Sequence, residues 1–308
     1  MMMTANIEGV VHAHGDLMRR VALAAVVIGA VLVVVKAAAF IVTDSIAMMA
    51  SLADSALDVI GSFVNLLAVR HALTPADAEH RFGHGKAEPL AGLAQGAFIA
   101  GSAVFLVIES AQRLTAPRPV ENGFAGLVVM GISVTAAIGL VSAQRFTVKR
   151  TGSLAIHADF MHYLGDILVN LGVVLAIVLS SSFHLLYADP IIGILVALVL
   201  AAGSWNVFGQ SYNQLMDREL PDDDRARIRN VVMRHPEVRD MHDLRTRAAG
   251  TTTFIQLHVE LDPSYSLMKS HGISDEVEAL LHAQFPNAEI IIHQDPAGYE
   301  TPEALAKS

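Results

Sequence analysis

The 308-residue sequence contains no cysteine, which excludes a disulfide framework and a thiolate metal site. Charged residues make up only 17% and aromatic residues 6% of the chain, whereas hydrophobic residues reach 53% and the mean hydropathy is +0.47. This composition is typical of a membrane protein. The net charge of −9 comes largely from the polar C-terminal third and disfavours nucleic-acid binding.

Six segments are apolar and long enough to cross a bilayer, which takes about 20 helical residues. Lys36 interrupts the first segment, and Asp54 and Asp58 interrupt the second. We therefore predict six transmembrane helices in the region 17–211. In chain order the apolar segments are Leu17–Val42, Ser45–Arg70, Pro89–Ile108, Asn122–Gln144, Ile167–Ala188 and Pro190–Met216.

The distribution of Lys and Arg between the loops predicts the orientation of these helices. Eight basic residues lie on the side of the N-terminus, whereas the opposite side offers only Arg113 and Arg118. The positive-inside rule then places both termini in the cytoplasm. The eight are Arg19, Arg20, Arg70, Arg81, Lys86, Arg145, Lys149 and Arg150.

Two pairs of metal-ligand residues interrupt the apolar helices. Asp54 and Asp58 lie in one helix, and His162 and Asp166 lie in another, within Ser153–Ser182. Each pair has i,i+4 spacing, so both side chains leave one helix face. An ionisable group at bilayer depth costs roughly 2.5–3.5 kcal/mol on insertion scales and needs a function or a partner. Counting about 1.5 Å per residue places both pairs near the midplane, which predicts one shared site for a divalent metal.

Three carboxylates and one imidazole suit tetrahedral Zn²⁺, and they also accept Fe²⁺, Mn²⁺, Co²⁺ or Cd²⁺. Without metal, crowded carboxylates cannot all stay ionised, so the site should carry protons that metal displaces. His162 is the candidate proton carrier near neutral pH. The alternative is that the four residues make only interhelical hydrogen bonds.

Two further charged residues in these helices allow two interpretations each. Asp159, one turn before His162, either lines the cytoplasmic approach to the site or is a solvated residue at a helix start. Lys36 lies near the outer end of the first helix, where we expect its side chain to extend toward the membrane surface.

The C-terminal third is polar and changes periodicity. Acidic residues at 222–224 predict a helix start. Thr253–Leu261 alternates as a strand, with Ile255, Leu257 and Val259 on one face and His258 on the other. A second helix and a last strand, Glu289–His293, complete the order helix, strand, strand, helix, strand. The predicted fold is thus six transmembrane helices followed by a small cytoplasmic α/β domain.

Several motifs resemble the cation diffusion facilitator family, and especially its bacterial ferrous-iron and zinc efflux proteins. They are DSALD in the second helix, HRFGHGKAEPLAGLAQG from His80 to Gly96, HYLGD in the fifth helix, HDLRTR at His242–Arg247 and IIHQDP at Ile291–Pro296. The resemblance implies a homodimeric transporter of the bacterial inner membrane that exports Zn²⁺ and related ions in exchange for protons. It also implies a ferredoxin-like, metallochaperone-like shape for the cytoplasmic domain.

The resemblance implies three metal sites and one charge pair. It places the transport site on Asp54, Asp58, His162 and Asp166, and a loop site on Asp77, His80 and His84. It places a cytoplasmic site at the dimer interface, on His242, His258, His271, His293 and Asp295. Lys86 and Asp217 match a charge interlock between the membrane and cytoplasmic parts. Many eukaryotic zinc-selective relatives have His where this chain has Asp54, so we expect Cd²⁺ and Fe²⁺ as further substrates.

The predicted domains are a cytoplasmic tail (1–16), the membrane domain (17–211), a metal-binding and dimerisation domain (212–296) and a C-terminal tail (297–308). The predicted function is proton-coupled metal export; the alternative is a metal-gated channel or a membrane metal sensor. A channel needs weak sites in a water-filled pore, whereas four strong ligands suit alternating access. The sequence has no HExxH signature and no clear Ser/His/Asp array, which argues against an intramembrane enzyme.

Overall fold

The computed structural model describes residues 2–43, 46–115, 124–183, 185 and 187–298. The described chain divides into two compact units: the membrane unit comprises residues 12–213, and the C-terminal unit groups residues from 214 onward with those up to 11. Six long helices extend up to the division at 213/214, and all but the first turns of α1 and the last residues of α6 belong to the membrane unit. They are α1 (Met2–Thr43), α2 (Ile46–Ala72), α3 (Ala87–Thr115), α4 (Phe124–Thr151), α5 (Leu154–Phe183) and α6 (Ala188–Leu215). In length and composition each can cross a membrane.

Helix α1 begins earlier than expected. It is continuous from Met2, so helix extends into the predicted N-terminal tail, and its membrane-compatible part begins at Ala13. Arg118, used in the orientation argument, and the last ten residues of the predicted C-terminal tail lie outside the described residues.

Helix α5 is central to the membrane unit, because it packs against α2, α3 and α4. It follows α4 after a short break at Gly152, whose φ of 67° lies in the left-handed region that glycine adopts without steric cost. The Gly152 amide donates to the Val148 carbonyl at 2.8 Å and so ends α4. This turn lets two long helices run antiparallel with a minimal connection.

The C-terminal unit has the predicted order of elements. It contains α7 (Asp222–Val232), β1 (Asp240–Ala249), β2 (Thr252–Leu261), α8 (Leu267–Gln284) and β3 (Ala288–Pro296). The sheet order is β1-β2-β3; β1 pairs with β2 antiparallel, and β2 pairs with β3 in parallel. The predicted fold of six apolar helices followed by a small α/β domain is confirmed.

Alternation along β2 decides which face of the sheet is covered. Ile255, Leu257 and Val259 are buried and pack with residues of α7 and α8 such as Ile228 and Val277. The predicted apolar face of this strand is confirmed. The histidines of the strands therefore lie on the other face, away from the helices.

Candidate metal centres

The most central cluster joins α2 to α5 inside the membrane unit. The Nε2 atom of His162 lies 3.1 Å from Oδ1 of Asp58 and 3.8 Å from Oδ2 of Asp166. The three residues offer ligand atoms that all lie within 4.8 Å of one another. His162 and Asp58 are mostly enclosed by protein. The structure thus brings three of the four predicted ligands together, from helices that the sequence separates by about a hundred residues.

The spacing of these atoms suits a small divalent cation. Bonds of about 2.0–2.1 Å in tetrahedral geometry place neighbouring ligand atoms roughly 3.3–3.4 Å apart. The observed separations of 3.1 and 3.8 Å fall on either side of this value. The three donors can therefore close on one ion through small side-chain rotations.

Asp54, the fourth predicted ligand, lies outside the three-residue group. It lies one turn before Asp58 on α2 and is within electrostatic reach of Asp58, His162 and Lys36. Its i,i+4 relation to Asp58 keeps it on the same helix face.

A buried polar network lies one helical turn from this cluster. One carboxylate oxygen of Asp159 accepts from Nε2 of Gln144 at 2.7 Å, and the other accepts from the Ser62 hydroxyl at 3.4 Å. Ser62 also lies 2.9 Å from the Tyr163 hydroxyl. Asp159 is only 1% exposed, so the interpretation as a solvated residue is wrong. The network joins α2, α4 and α5 within one turn of His162 and Asp58.

A second buried carboxylate fixes the start of α5. Glu88, in the first turn of α3, accepts from the Ser153 hydroxyl at 2.6 Å and from the Ala155 amide at 3.3 Å. The amides at a helix N-terminus carry partial positive charge and lack intrahelical partners. Glu88 therefore satisfies the N-terminus of the helix that carries His162 and Asp166. We assigned no role to Glu88 from the sequence, because it lies where a charged loop meets the apolar run that begins at Pro89.

Lys36 differs from its expected placement. The side chain is buried, and its Nζ donates to the Ser55 hydroxyl at 2.6 Å and to the Ser51 carbonyl at 3.3 Å. The expectation that it extends to the membrane surface is wrong, because α2 supplies two acceptors within reach. The ammonium therefore lies beside the α2 turn that contains Asp54.

The second cluster is in the loop between α2 and α3. Asp77 Oδ1 lies 3.5 Å from Nδ1 of His80, and Asp77 Oδ2 lies 3.4 Å from Nε2 of His84. The His80 and Glu79 amides donate to the Asp77 carboxylate, and these bonds lower the pKa of Asp77. An ionised carboxylate is the form that binds metal. All three predicted loop residues are thus brought together.

The third cluster lies on the open face of the C-terminal sheet. His242, His258 and His293 occupy paired positions on the three strands. Asp295 Oδ2 lies 3.4 Å from Nε2 of His242 and 2.8 Å from Nδ1 of His258, and its Oδ1 lies 3.3 Å from Nε2 of His293. One carboxylate therefore faces two histidines with one oxygen and a third with the other.

Two acidic residues beside this cluster were not predicted. Glu260 lies 3.5 Å from His242, and Asp243 lies 3.9 Å from His258. Glu260 shares the strand face of His258, so period-two alternation could have indicated it. Asp243 has a φ of 46° at an irregularity of β1, and this local backbone change carried no sequence signal.

Two predicted positions have different surroundings. His271, on α8, is 64% exposed and lies 3.6 Å from Asp275, apart from the Asp295 group. Asp217 pairs with Arg247 at 3.2 Å inside the C-terminal unit. Its predicted interlock with Lys86, which belongs to the membrane unit, stays a prediction.

Six membrane-compatible helices, a polyvalent cluster inside them and a histidine-bearing α/β unit define a multi-pass membrane protein that handles metal cations. Two family models match the chain: the cation efflux transmembrane domain over residues 22–216 and the cation efflux protein cytoplasmic domain over residues 220–297. The chain belongs to the cation efflux family, also called the cation diffusion facilitators. Its members are transporters of divalent metals.

Individual proteins resemble the chain over most of its length. The cation-efflux pump FieF of Cronobacter sakazakii is 41% identical over 285 residues, which cover 92% of this chain and 95% of that protein. FieF of Shewanella oneidensis is 43% identical over 269 residues, covering 87% and 90%. A solved chain of CzrB in its Zn form is 30% identical with a TM-score of 0.26, covering 28% of this chain and 98% of that chain.

Proposed function

We propose that this chain exports divalent metal cations from the cytoplasm in exchange for protons by alternating access. The observation that carries the proposal is the convergence of Asp58, His162 and Asp166 on ligand spacing inside the membrane unit. The metal is the substrate of this site. The relatives named cation-efflux pumps support export over other uses of such a site.

The donor set supports coupling to protons. A metal binds carboxylates and imidazole only in their deprotonated forms, so binding releases protons. Carboxylates held this close to one another cannot all remain charged without a cation. Protons and metal therefore compete for the same ligand atoms. Proton movement in one direction across the membrane then drives metal movement in the other.

Asp54 completes the coordination when the metal is bound. It shares the α2 face of Asp58, and a change of side-chain rotamer moves its carboxylate toward the group. The oxygen-rich set of donors accepts Zn²⁺, Cd²⁺, Fe²⁺ and Mn²⁺, with Zn²⁺ as the first candidate. A passive metal-gated channel or a sensor is the competing function.

We base the oligomeric state, the location and the two further metal sites on membership of the cation efflux family. The chain acts as a homodimer in the bacterial inner membrane with both termini in the cytoplasm. The Asp77, His80 and His84 loop and the Asp295 cluster bind metal on the cytoplasmic side, where His271 joins through dimerisation. Lys86 and Asp217 form the charge interlock between the two units.

Purified protein in liposomes tests the proposal through metal uptake under an imposed pH gradient. Acidifying the side to which metal is delivered should slow uptake, and reversing the gradient should accelerate it. A flux that ignores the pH gradient and follows only the metal gradient would establish the channel.

A further inference from the structure

A buried cation lies in the membrane unit beside an acidic site, and no part of the proposed transport cycle uses it. The Lys36 side chain is 8% exposed. An unpaired ammonium at membrane depth is costly and persists where a function or a partner retains it. Its hydrogen-bond acceptors are Ser55 Oγ and the Ser51 carbonyl, which are both neutral. The charge is therefore solvated by dipoles, and no carboxylate forms a direct salt bridge with it among the described contacts.

The packing of α1 on α2 fixes the position of this charge. Gly29 lies seven residues before Lys36, two helical turns away on the same face of α1. A Cβ at Gly29 would lie 2.8 Å from Val59 Cγ2, so glycine permits the close approach of the two helices. One end of the contact thus lies at Val59, the residue after Asp58 in the chain. The other end brings Nζ to the Ser51–Ser55 turn around Asp54.

The electrostatic surroundings link Lys36 to the metal ligands. The ammonium is within electrostatic reach of the carboxylates of Asp54 and Asp166. A fixed positive charge near a divalent ion repels it, and this repulsion is strong where the effective dielectric constant is low. A transporter needs a site that binds its substrate yet releases it in every cycle.

From this arrangement we propose that Lys36 is a built-in counter-charge that lowers the affinity of the transport site and so speeds metal release. This inference rests on the proposed transport site. Lys36 tunes the site through its charge, whereas its hydrogen bonds to α2 only hold that charge in place. Replacing the charge should therefore tighten metal binding and slow turnover.

Calorimetric titration with Zn²⁺ alone tests the inference in detergent-solubilised protein at about pH 8, where protons compete least. His80, His84, His242, His258 and His293 are first replaced with alanine, so that the heat reports the membrane site. Lys36→Met and Lys36→Gln should each tighten Zn²⁺ binding on the order of tenfold or more. Lys36→Arg should bind Zn²⁺ with the same affinity as the histidine-replaced background protein that retains Lys36. Lys149→Met, which removes an exposed lysine at the end of α4, should also leave that affinity unchanged.

Ser55→Ala separates charge from anchoring, because it removes an acceptor and leaves the ammonium. A purely structural Lys36 would make Lys36→Gln and Ser55→Ala both weaken binding, and that result overturns the inference. Unchanged affinity in Lys36→Gln also overturns it. If Lys36→Met does not fold, Lys36→Gln decides, because it retains a hydrogen-bond donor.

Two further measurements complete the test. In liposomes, Lys36→Gln should lower both the half-saturating Zn²⁺ concentration and the maximal rate of uptake relative to the wild-type protein. Equal values in Lys36→Gln and wild type contradict the inference. Failure of the proposed function has a different signature, since Zn²⁺ binding in the background would then survive Asp58→Ala. Binding that Asp58→Ala abolishes and Lys36→Gln leaves untouched refutes the role of Lys36 alone.

Discussion

The imidazole Nε2 of His162 lies 3.1 Å from Oδ1 of Asp58, although 104 positions separate the two residues in the chain. The pair joins α2 to α5, and Asp166 lies one turn further along α5 with its Oδ2 3.8 Å from the same nitrogen. Gln144 on α4 supports this contact by donating a hydrogen bond to Asp159 on α5. Glu88 on α3 supports it by accepting a hydrogen bond from Ser153 at the start of α5. The proposed metal ligands are thus held by several helices, and this arrangement leads to the following predictions.

Removing a ligand should abolish transport without unfolding the protein. Asp58→Ala and His162→Ala each delete a donor from a site with few ligands, so we expect metal uptake into liposomes to fall to background. The dimer should persist in size-exclusion chromatography. Asp222→Ala provides the matched control, because this carboxylate is 99% exposed on α7. Uptake near the wild-type rate in either ligand variant would place the transport site elsewhere.

Loss of Asp159 should weaken the site from outside the ligand set. Asp159→Ala leaves the Gln144 amide without its acceptor in a buried position, at a cost of about 1–3 kcal/mol. Residues that orient metal ligands typically contribute 10–100-fold in affinity, and we expect a Zn²⁺ dissociation constant raised within that range. Thermal denaturation and Zn²⁺ titration measure the two effects. Ser62→Ala removes the longer bond to Asp159 and the contact with the Tyr163 hydroxyl. It leaves the bond between Gln144 and Asp159 in place, so we expect the smaller effect on Zn²⁺ affinity.

Glu88 should contribute to stability through the N-terminus of α5. Glu88→Ala removes the acceptor of Ser153 and Ala155, and we expect the free energy of unfolding to fall by about 1–3 kcal/mol. Glu88→Gln keeps one carbonyl oxygen and should recover part of the loss. Thermal denaturation of the full-length protein gives the comparison. Equal melting temperatures for Glu88→Ala and wild type would show that α5 does not depend on this contact.

The Asp295 cluster of the C-terminal unit should affect Zn²⁺ binding and dimer stability and should not be required for transport. We expect His242→Ala with His293→Ala to reduce the number of bound Zn²⁺ ions and the stability of the dimer while transport continues. Analytical ultracentrifugation with and without Zn²⁺, together with liposome uptake, separates the two effects. If the double variant abolished uptake as fully as Asp58→Ala, this division of roles would be wrong.

Much of the architecture follows from local patterns. Apolar runs of about 20 residues predict membrane-spanning helices, and alternation along Thr253–Leu261 predicts the buried face of its strand. The i,i+4 spacing likewise placed each ligand pair on one helix face. Such features depend on neighbours along the chain, so they can be predicted without knowing what packs against them.

Other features depend on partners far away in the chain. Whether Lys36 reaches the membrane surface or stays buried depends on the acceptors that α2 offers, and these become neighbours only when α1 packs through Gly29. Asp159 is buried because Gln144 and Ser62 come from two other helices. The position of Asp243 depends on an irregularity in β1. The sequence by itself therefore determined the elements, their faces and the chemistry of the ligands. Only the tertiary structure decided which buried charges meet, because the energy of a charge depends on its three-dimensional surroundings.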